Sequence, residues 1–135
     1  MSDTSAPIPS IADRARPIEA GSPVVGVHFL RDTPVFVLGE EHLLLASEKD
    51  EQRVLVHGGA ILASSSDGVR VVTGGDDGKL VATGADGTHE VLATDAKKRW
   101  IDQVALGPDG AVAWSAGKTA QVLTKKGELR SFEAP

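Results

Sequence analysis

Residues 60–94 read AILASSSDGVRVVTGGDDGKLVATGADGTHEVLAT and contain three Asp-Gly pairs, each lying between short apolar runs. The pairs are Asp67-Gly68, Asp77-Gly78 and Asp86-Gly87. Asp-Gly is the strongest short signal for a hairpin, because glycine tolerates the positive φ that tight turns between twisted strands require. The stretch therefore predicts one meander of short antiparallel strands. A lone sheet of this size has too little core, so it needs neighbours of the same kind.

Similar meanders flank this stretch on both sides. Towards the C-terminus, Ser115 corresponds to Thr73 without a gap, and towards the N-terminus Val37-Leu38-Gly39 corresponds to Val72-Thr73-Gly74. The repeat is roughly 35–42 residues long, which is the range of propeller blades. No segment has a sustained apolar period near about 3.6, so helices are not expected. The predicted fold class is all-β, with three four-stranded antiparallel blades of a partial β-propeller.

The repeats divide the chain into an N-terminal segment and three blades. The predicted bounds are 1–17 for a flexible or arm-like segment, 18–59 for blade 1, 60–95 for blade 2 and 96–135 for blade 3. The Ser-, Pro- and Ala-rich composition of the first segment favours a disordered tail. The alternative is an extended arm, residues 8–18, that pairs with a distant sheet edge. Residues 24–30 are almost continuously apolar, and we expect an inner strand that is buried on both faces.

Composition excludes several classes of function. The 135 residues are enough for one domain, and the absence of cysteine excludes disulfides and cysteine-based zinc sites. A formal net charge of −5 argues against a nucleic-acid or membrane partner, because both would repel an acidic protein. No signal-like or membrane-spanning apolar run occurs, so we expect a cytoplasmic protein. The four histidines are widely spaced and the Asp76-Asp77 turn lacks the oxygens of a calcium loop, so no metal and no cofactor is expected.

Three turn motifs occur in the order that WD-repeat β-propellers show. Gly107-Pro108-Asp109-Gly110 resembles the inner hairpin turn of that family, and residues 73–79 resemble the turn between its second and third strands. His57-Gly58-Gly59 resembles the link that carries the family's Gly-His pair. The resemblance covers residues 18–135 and extends to bacterial WD-repeat proteins that are longer than this chain. It implies the first three blades of a larger propeller.

The resemblance also implies a buried polar network in blade 2. In the family, a His, a Ser or Thr, an Asp and a Trp form a hydrogen-bonded chain that ties the strands of a blade together. Here His57, Thr73 and Asp77 match the first three, and Thr83 stands at the position of the Trp. The counterparts in the third repeat are Arg99, Ser115 and Thr119.

His57, Thr73 and Asp77 also have the residue types of a catalytic triad. However, Thr73 lies within a predicted strand, and no strained turn presents its oxygen to a substrate. A structural network is therefore favoured, in which Asp77 holds one tautomer of His57 and the ring bonds Thr73. His28, on an inner strand, is expected to be a core histidine. We predict no catalytic residue and a protein that is not an enzyme.

Trp100 is the residue best suited to bind a partner. It lies in the link that enters the third repeat, and in propellers such links face the rim used for binding. Because Trp and Arg are enriched at interface hot spots, we predict that a protein or peptide binds Arg99, Trp100, Asp76 and Lys118. The other interpretation, which the sequence favours, is that Trp100 packs between blades 2 and 3. Trp114, within a strand, is expected to fill the space between blades.

Three blades are too few to close a ring, since propellers have about four to eight. The outer faces of the first and third sheets should therefore expose apolar surface. A longer parent chain, a second chain or a second copy would supply the missing blades. The predicted function is an interaction scaffold that binds a protein or peptide through rim loops. The alternatives are a small-ligand-binding or hydrolytic propeller that uses the central channel, and a structural subunit completed by a second chain.

The channel alternative requires polar groups from several blades to converge on the inner strands. These strands are mostly Val, Ala, Leu and Ser in the sequence. We therefore expect no convergent polar group in the channel.

Overall fold

The computed structural model describes residues 16–48 and 50–133, which form three four-stranded antiparallel sheets. Blade 1 contains β1 (Val24–Leu30), β2 (Thr33–Leu38), β3 (His42–Ala46) and β4 (Glu51–Leu55). Blade 2 contains β5 (Ile61–Ser66), β6 (Arg70–Gly75), β7 (Lys79–Gly84) and β8 (His89–Thr94). Blade 3 contains β9 (Ile101–Leu106), β10 (Val112–Ala116), β11 (Thr119–Leu123) and β12 (Leu129–Glu133). Each sheet pairs its strands in sequence order, which confirms the all-β fold of three propeller blades.

Turn chemistry explains why the strands end where they do. The glycines of the three Asp-Gly pairs in blade 2 have φ between +75° and +88°, a region that favours glycine. In each pair the aspartate carboxylate accepts a hydrogen bond from the backbone N–H two residues on, at 2.9–3.1 Å. Within the described residues, helical backbone is limited to a single 3₁₀ turn, Pro108–Gly110. That part of the chain holds no helix long and apolar enough to cross a membrane.

The core lies in two layers between the blades. The layer between blades 1 and 2 is aliphatic and consists of Leu30, Val35, Val37, Leu43, Leu45, Val54, Val56, Ile61, Val71 and Val81. The layer between blades 2 and 3 consists of Val72, Leu80, Ala82, Ile101, Val112, Trp114 and Ala116. The first strands of the blades, β1, β5 and β9, contact one another across the boundaries. These strands therefore lie at the centre of the fan of blades, and the fourth strands lie at its periphery.

On the outer face of blade 1, the innermost strand exposes apolar side chains to solvent. Val27 and Phe29 of β1 are exposed, so the expectation that this strand is buried on both faces is wrong. The physical reason is that a terminal blade has a neighbour on one side only. On blade 3, Phe132 is likewise exposed on the outer face.

The periphery of the same face of blade 1 is covered. The Arg53 guanidinium donates hydrogen bonds to the carbonyls of Ala20 (2.6 Å) and Glu19 (2.7 Å), and the Gly39 N–H donates to the carbonyl of Pro23 (2.8 Å). These bonds hold residues 16–23 against blade 1. A tail or arm was predicted for residues 1–17. Residues 1–15 of that segment lie outside the described residues.

Candidate functional site

Polar side chains of two inner strands meet across the boundary between blades 1 and 2. The Nε2 atom of His28, on β1, lies 2.8 Å from Oγ of Ser64, on β5, and both side chains are half-buried. A Cβ atom added at Gly26 would lie 2.7 Å from the same Oγ, so glycine allows β1 to approach Ser64 closely. Burial lowers the pKa of His28. The ring is therefore neutral at neutral pH and can accept a proton or a hydrogen bond.

Polar groups continue along the inner strands into blade 3. Oγ of Ser65, on β5, accepts a hydrogen bond from the N–H of Leu106, on β9, at 3.2 Å. Asp102 and Gln103 of β9 are exposed. Each of the three inner strands therefore carries polar side chains at the centre of the fan.

These contacts lie between blades, and the expectation of a channel without convergent polar groups stays a prediction. The contact of His28 with Ser64 was not predicted, because the two residues are 36 apart and neither is unusual on its own strand. Superimposing the repeats places both residues on innermost strands, but it does not show that the two side chains meet.

His57, Thr73 and Asp77 are brought together where loop 56–60 joins blade 1 to blade 2. The His57 Nδ1 atom lies 3.0 and 3.1 Å from the Asp77 carboxylate oxygens, and Nε2 lies 2.8 Å from Thr73 Oγ1. Burial alone would raise the pKa of Asp77, but hydrogen bonds from Gly58 N–H, the His57 ring and Lys79 N–H lower it. Thr73 is fully buried, so its hydroxyl does not face a cleft that a substrate could enter.

Loop 95–100, which joins blade 2 to blade 3, is held by different groups. The Arg99 guanidinium donates to both carboxylate oxygens of Asp95, at 3.1 and 2.9 Å, and to Thr119 Oγ1 at 3.1 Å. The hydrogen bonds from Arg99 and the backbone N–H groups lower the pKa of Asp95 in spite of its burial. Arg99 and Thr119 therefore meet, as the sequence comparison of the repeats suggested.

Ser115 does not take the place of Thr73. Strand pairing sets Ile61 opposite Gly75 in blade 2 and Ile101 opposite Ala116 in blade 3. Counting from these pairs, the counterpart of Thr73 is Trp114, so the gapless alignment is wrong by one residue. Its physical cause is the turn before β10: residues 107–111 join β9 to β10, whereas residues 67–69 join β5 to β6, so aligning the two Asp-Gly pairs does not align the strands that follow them.

The residues predicted to bind a partner lie on one rim. Trp100 is 63% exposed and does not pack between blades 2 and 3, whereas Trp114 is buried there. A Cβ added at Gly117 would lie 3.3 Å from Arg99 Cδ, which places Lys118 next to Arg99. Asp76 lies in the neighbouring turn and its carboxylate contacts Gly59.

Metal binding has no support in the described part of the chain. No group of three His, Asp or Glu side chains there is close enough to hold an ion.

Three solved structures that share the fold carry the names of lyases. Virginiamycin B lyase from Staphylococcus aureus, in selenomethionine-substituted form, matches with a TM-score of 0.69 at 12% identity, over 87% of this chain and 43% of that one. A streptogramin B lyase matches with a TM-score of 0.67 at 7% identity, over 79% and 39% of the two chains. The catalytically inactive S. aureus virginiamycin B lyase with Quinupristin, in which one histidine is replaced by alanine, matches at 0.67 and 13% identity, over 87% and 43%.

This chain therefore spans less than half the length of these structures. No protein-family model matches the sequence. No curated protein sequence matches it either.

The predicted relationship to WD-repeat propellers is wrong, because these structural neighbours are lyases and not WD-repeat proteins. Asp-Gly turns and a period near 40 residues serve any four-stranded antiparallel blade, so they identify the architecture and not the family. The residues that would have carried the family network also differ. Thr83 stands at the position of its Trp, and Trp114 stands at the position of its hydroxyl residue in blade 3.

Proposed function

We propose that the chain forms three blades of a propeller that binds a small molecule in its central channel. The observation that carries the proposal is the His28–Ser64 pair, a neutral imidazole and a hydroxyl 2.8 Å apart on adjacent inner strands. Ligand sites are concave and carry a few polar groups that orient the ligand among apolar surface. The inner strands of this chain carry His28 and Ser64 among apolar side chains, and further blades would complete a concave wall around them.

The structural neighbours support a channel function over a scaffold. Their names describe lyases, and one of them loses catalysis when a single histidine is replaced by alanine. A general base must be unprotonated at the working pH, and the lowered pKa of His28 meets that requirement. We extend the proposal to catalysis, with His28 as the proton acceptor. Because the chain spans less than half of the neighbours, the remaining wall of the channel would come from further blades.

The test is a ligand-observed NMR screen of a fragment library, with quinupristin included, against the purified protein. We expect at least one compound to bind, and its affinity to fall about tenfold or more in His28→Ala, since one hydrogen bond to a buried group is worth this much. His89→Ala, which changes an exposed residue at the start of β8, is the matched control and should bind normally. A screen without any His28-dependent binder contradicts the proposal.

Binding of the same compound should weaken at low pH. Burial sets the folded pKa of His28 below its ordinary value of 6.5, so the ring is still mostly neutral at pH 6.5. Binding that needs the neutral ring should persist at that pH and weaken as the pH falls through the folded pKa. Isothermal titration at pH 7.5, 6.5 and 5.0 measures this.

A further inference from the structure

Loop 95–100 is held in one conformation by its own side chains. Oδ2 of Asp95 accepts hydrogen bonds from the N–H groups of Lys97 (3.1 Å) and Arg99 (2.8 Å), and the Arg99 guanidinium closes the other side of the carboxylate. The Asp95 N–H donates to the carbonyl of Gly78 at 2.7 Å, which ties the loop to the turn of blade 2. The Asp95 side chain is almost fully buried. The loop is therefore rigid before any partner arrives.

Lys98 has a left-handed backbone within this loop, with φ +54°. This conformation is unfavourable for a residue with a side chain and persists only where surrounding contacts enforce it. Here the enforcing contact is the hydrogen bond from the Lys98 N–H to the carbonyl of Asp95, at 3.0 Å. Strain of this kind concentrates at functional positions. The residue that follows the strained and locked segment is the exposed Trp100.

Exposed lysines lie on the same rim as the exposed indole. Lys97 and Lys98 are exposed on the same loop, and Lys118 is exposed on the adjacent turn. The charge of Arg99 is already paired with Asp95 at 2.9 Å, so the lysines are the cations available to a partner. The whole chain carries a net charge of −5, so this rim patch of Lys97, Lys98, Trp100 and Lys118 opposes the sign of the protein.

We propose that this rim patch binds an extended peptide in which carboxylates lie next to an apolar side chain. The apolar side chain would pack on the Trp100 indole, and the carboxylates would pair with the lysines. A rigid Trp anchor gives affinity at low entropic cost, because the loop does not have to be ordered on binding. Lysines with an aromatic residue also suit single-stranded nucleic acid, but the net negative charge of the chain repels a polyanion far more strongly than a peptide with a few carboxylates.

The experiment is a random-peptide display selection against the purified protein, followed by affinity measurement on the enriched peptides. We expect enrichment of sequences with Asp or Glu beside an apolar residue. Binding of those peptides should weaken about tenfold or more in Trp100→Ala, and by a smaller factor in Lys118→Glu. Raising the salt concentration should weaken binding as well, since the charges are exposed. Val69→Ala removes an equally exposed apolar side chain elsewhere and is the matched control.

Three results would overturn the inference. The first is a selection without acidic enrichment, and the second is enriched peptides that bind Trp100→Ala as well as they bind the unchanged protein. The third is tighter binding of a decathymidine oligonucleotide than of any enriched peptide. The inference does not depend on the channel site, so His28→Ala should leave peptide binding unchanged.

Discussion

The two boundaries between blades meet the same packing requirement with different side chains. At the boundary of blades 1 and 2 the core is aliphatic, and the Thr73 hydroxyl is hydrogen-bonded to the ring of the buried His57. At the boundary of blades 2 and 3 the position of Thr73 is taken by Trp114, which is buried. The indole fills the space in which a hydroxyl and its partner would lie. The polar link then moves outward, to Arg99 and Asp95.

The difference shows that both boundaries are filled and both connecting loops are tied down, although the side chains that do this differ in chemistry. Both loops must be tied to the turn between the second and third strands of a blade, and both are. One tie is a buried imidazole between a carboxylate and a hydroxyl. The other is a guanidinium whose side chain is one-third exposed. Because Arg99 keeps its charge at any ordinary pH, the second tie does not depend on a tautomer.

Replacing Trp114 should have the largest effect on stability and tests how the second boundary is built. Trp114→Ala is expected to lower the free energy of unfolding by about 3–5 kcal/mol, because it removes the largest side chain of the second boundary and leaves a cavity. Chemical denaturation followed by circular dichroism measures the loss. Trp100→Ala is the control and should change stability by no more than about 0.5 kcal/mol, since that side chain is exposed. Equal losses in both variants would mean that the second boundary is not built on Trp114.

Removing the imidazole tests the first boundary. His57→Ala should cost about 2–4 kcal/mol of stability, because it leaves the Thr73 hydroxyl buried without its ring partner and the Asp77 carboxylate with fewer hydrogen bonds. Thr73→Val should cost less. The double variant should lose less than the sum of the two, since both changes remove the same bond. Strict additivity would show that the ring and the hydroxyl do not interact.

Acid should weaken both ties. The folded pKa values of Asp77 and Asp95 lie below their ordinary 3.8, so each carboxylate stabilises the fold above that pH. The contribution is lost as the pH falls through the folded pKa. The difference in thermal midpoint between the unchanged protein and Asp77→Asn should therefore be constant from pH 7 to 5 and shrink below about pH 4. Asp95→Asn should behave in the same way, and a difference that widens in acid would contradict the assignment for that residue.

Relieving the strained backbone should have the smallest effect and the opposite sign. Lys98→Gly is expected to stabilise the second boundary by up to about 1 kcal/mol, because glycine adopts φ +54° without a steric penalty. Lys97→Gly is the matched control and should be neutral or slightly destabilising. Differential scanning fluorimetry of both variants resolves the sign. Destabilisation by Lys98→Gly would indicate that the lysine side chain makes contacts that outweigh the strain.

The features of the fold that depend on a few neighbouring residues could be predicted from the sequence. The Asp-Gly pairs predict turns because the conformation and hydrogen bonds of a tight turn involve only about four consecutive residues. The length of the repeat then gives the number of blades. His57, Thr73 and Asp77 could be chosen from their spacing relative to those turns. Ser115 could not be placed correctly, because the turn before β10 is longer than its counterpart in blade 2, and a shift of one residue turns every side chain to the other face.

Contacts between inner strands could not be predicted in the same way. His28 and Ser64 meet because β1 and β5 pass side by side, and Gly26 lets them do so. The exposure of Trp100 follows from a network around Asp95 that closes only when the loop and the guanidinium are both in place. Family membership was misjudged for a related reason. Turn motifs report the needs of a blade, which unrelated propellers share.

The amino-acid sequence by itself determined that this chain folds as three antiparallel meanders, because hairpin turns and alternating strands are local properties of the backbone. Only the tertiary structure decided which side chains face each other between blades, since that depends on register and on the approach of strands that are far apart in sequence. The contact of His28 with Ser64 and the exposure of Trp100 both belong to this second kind.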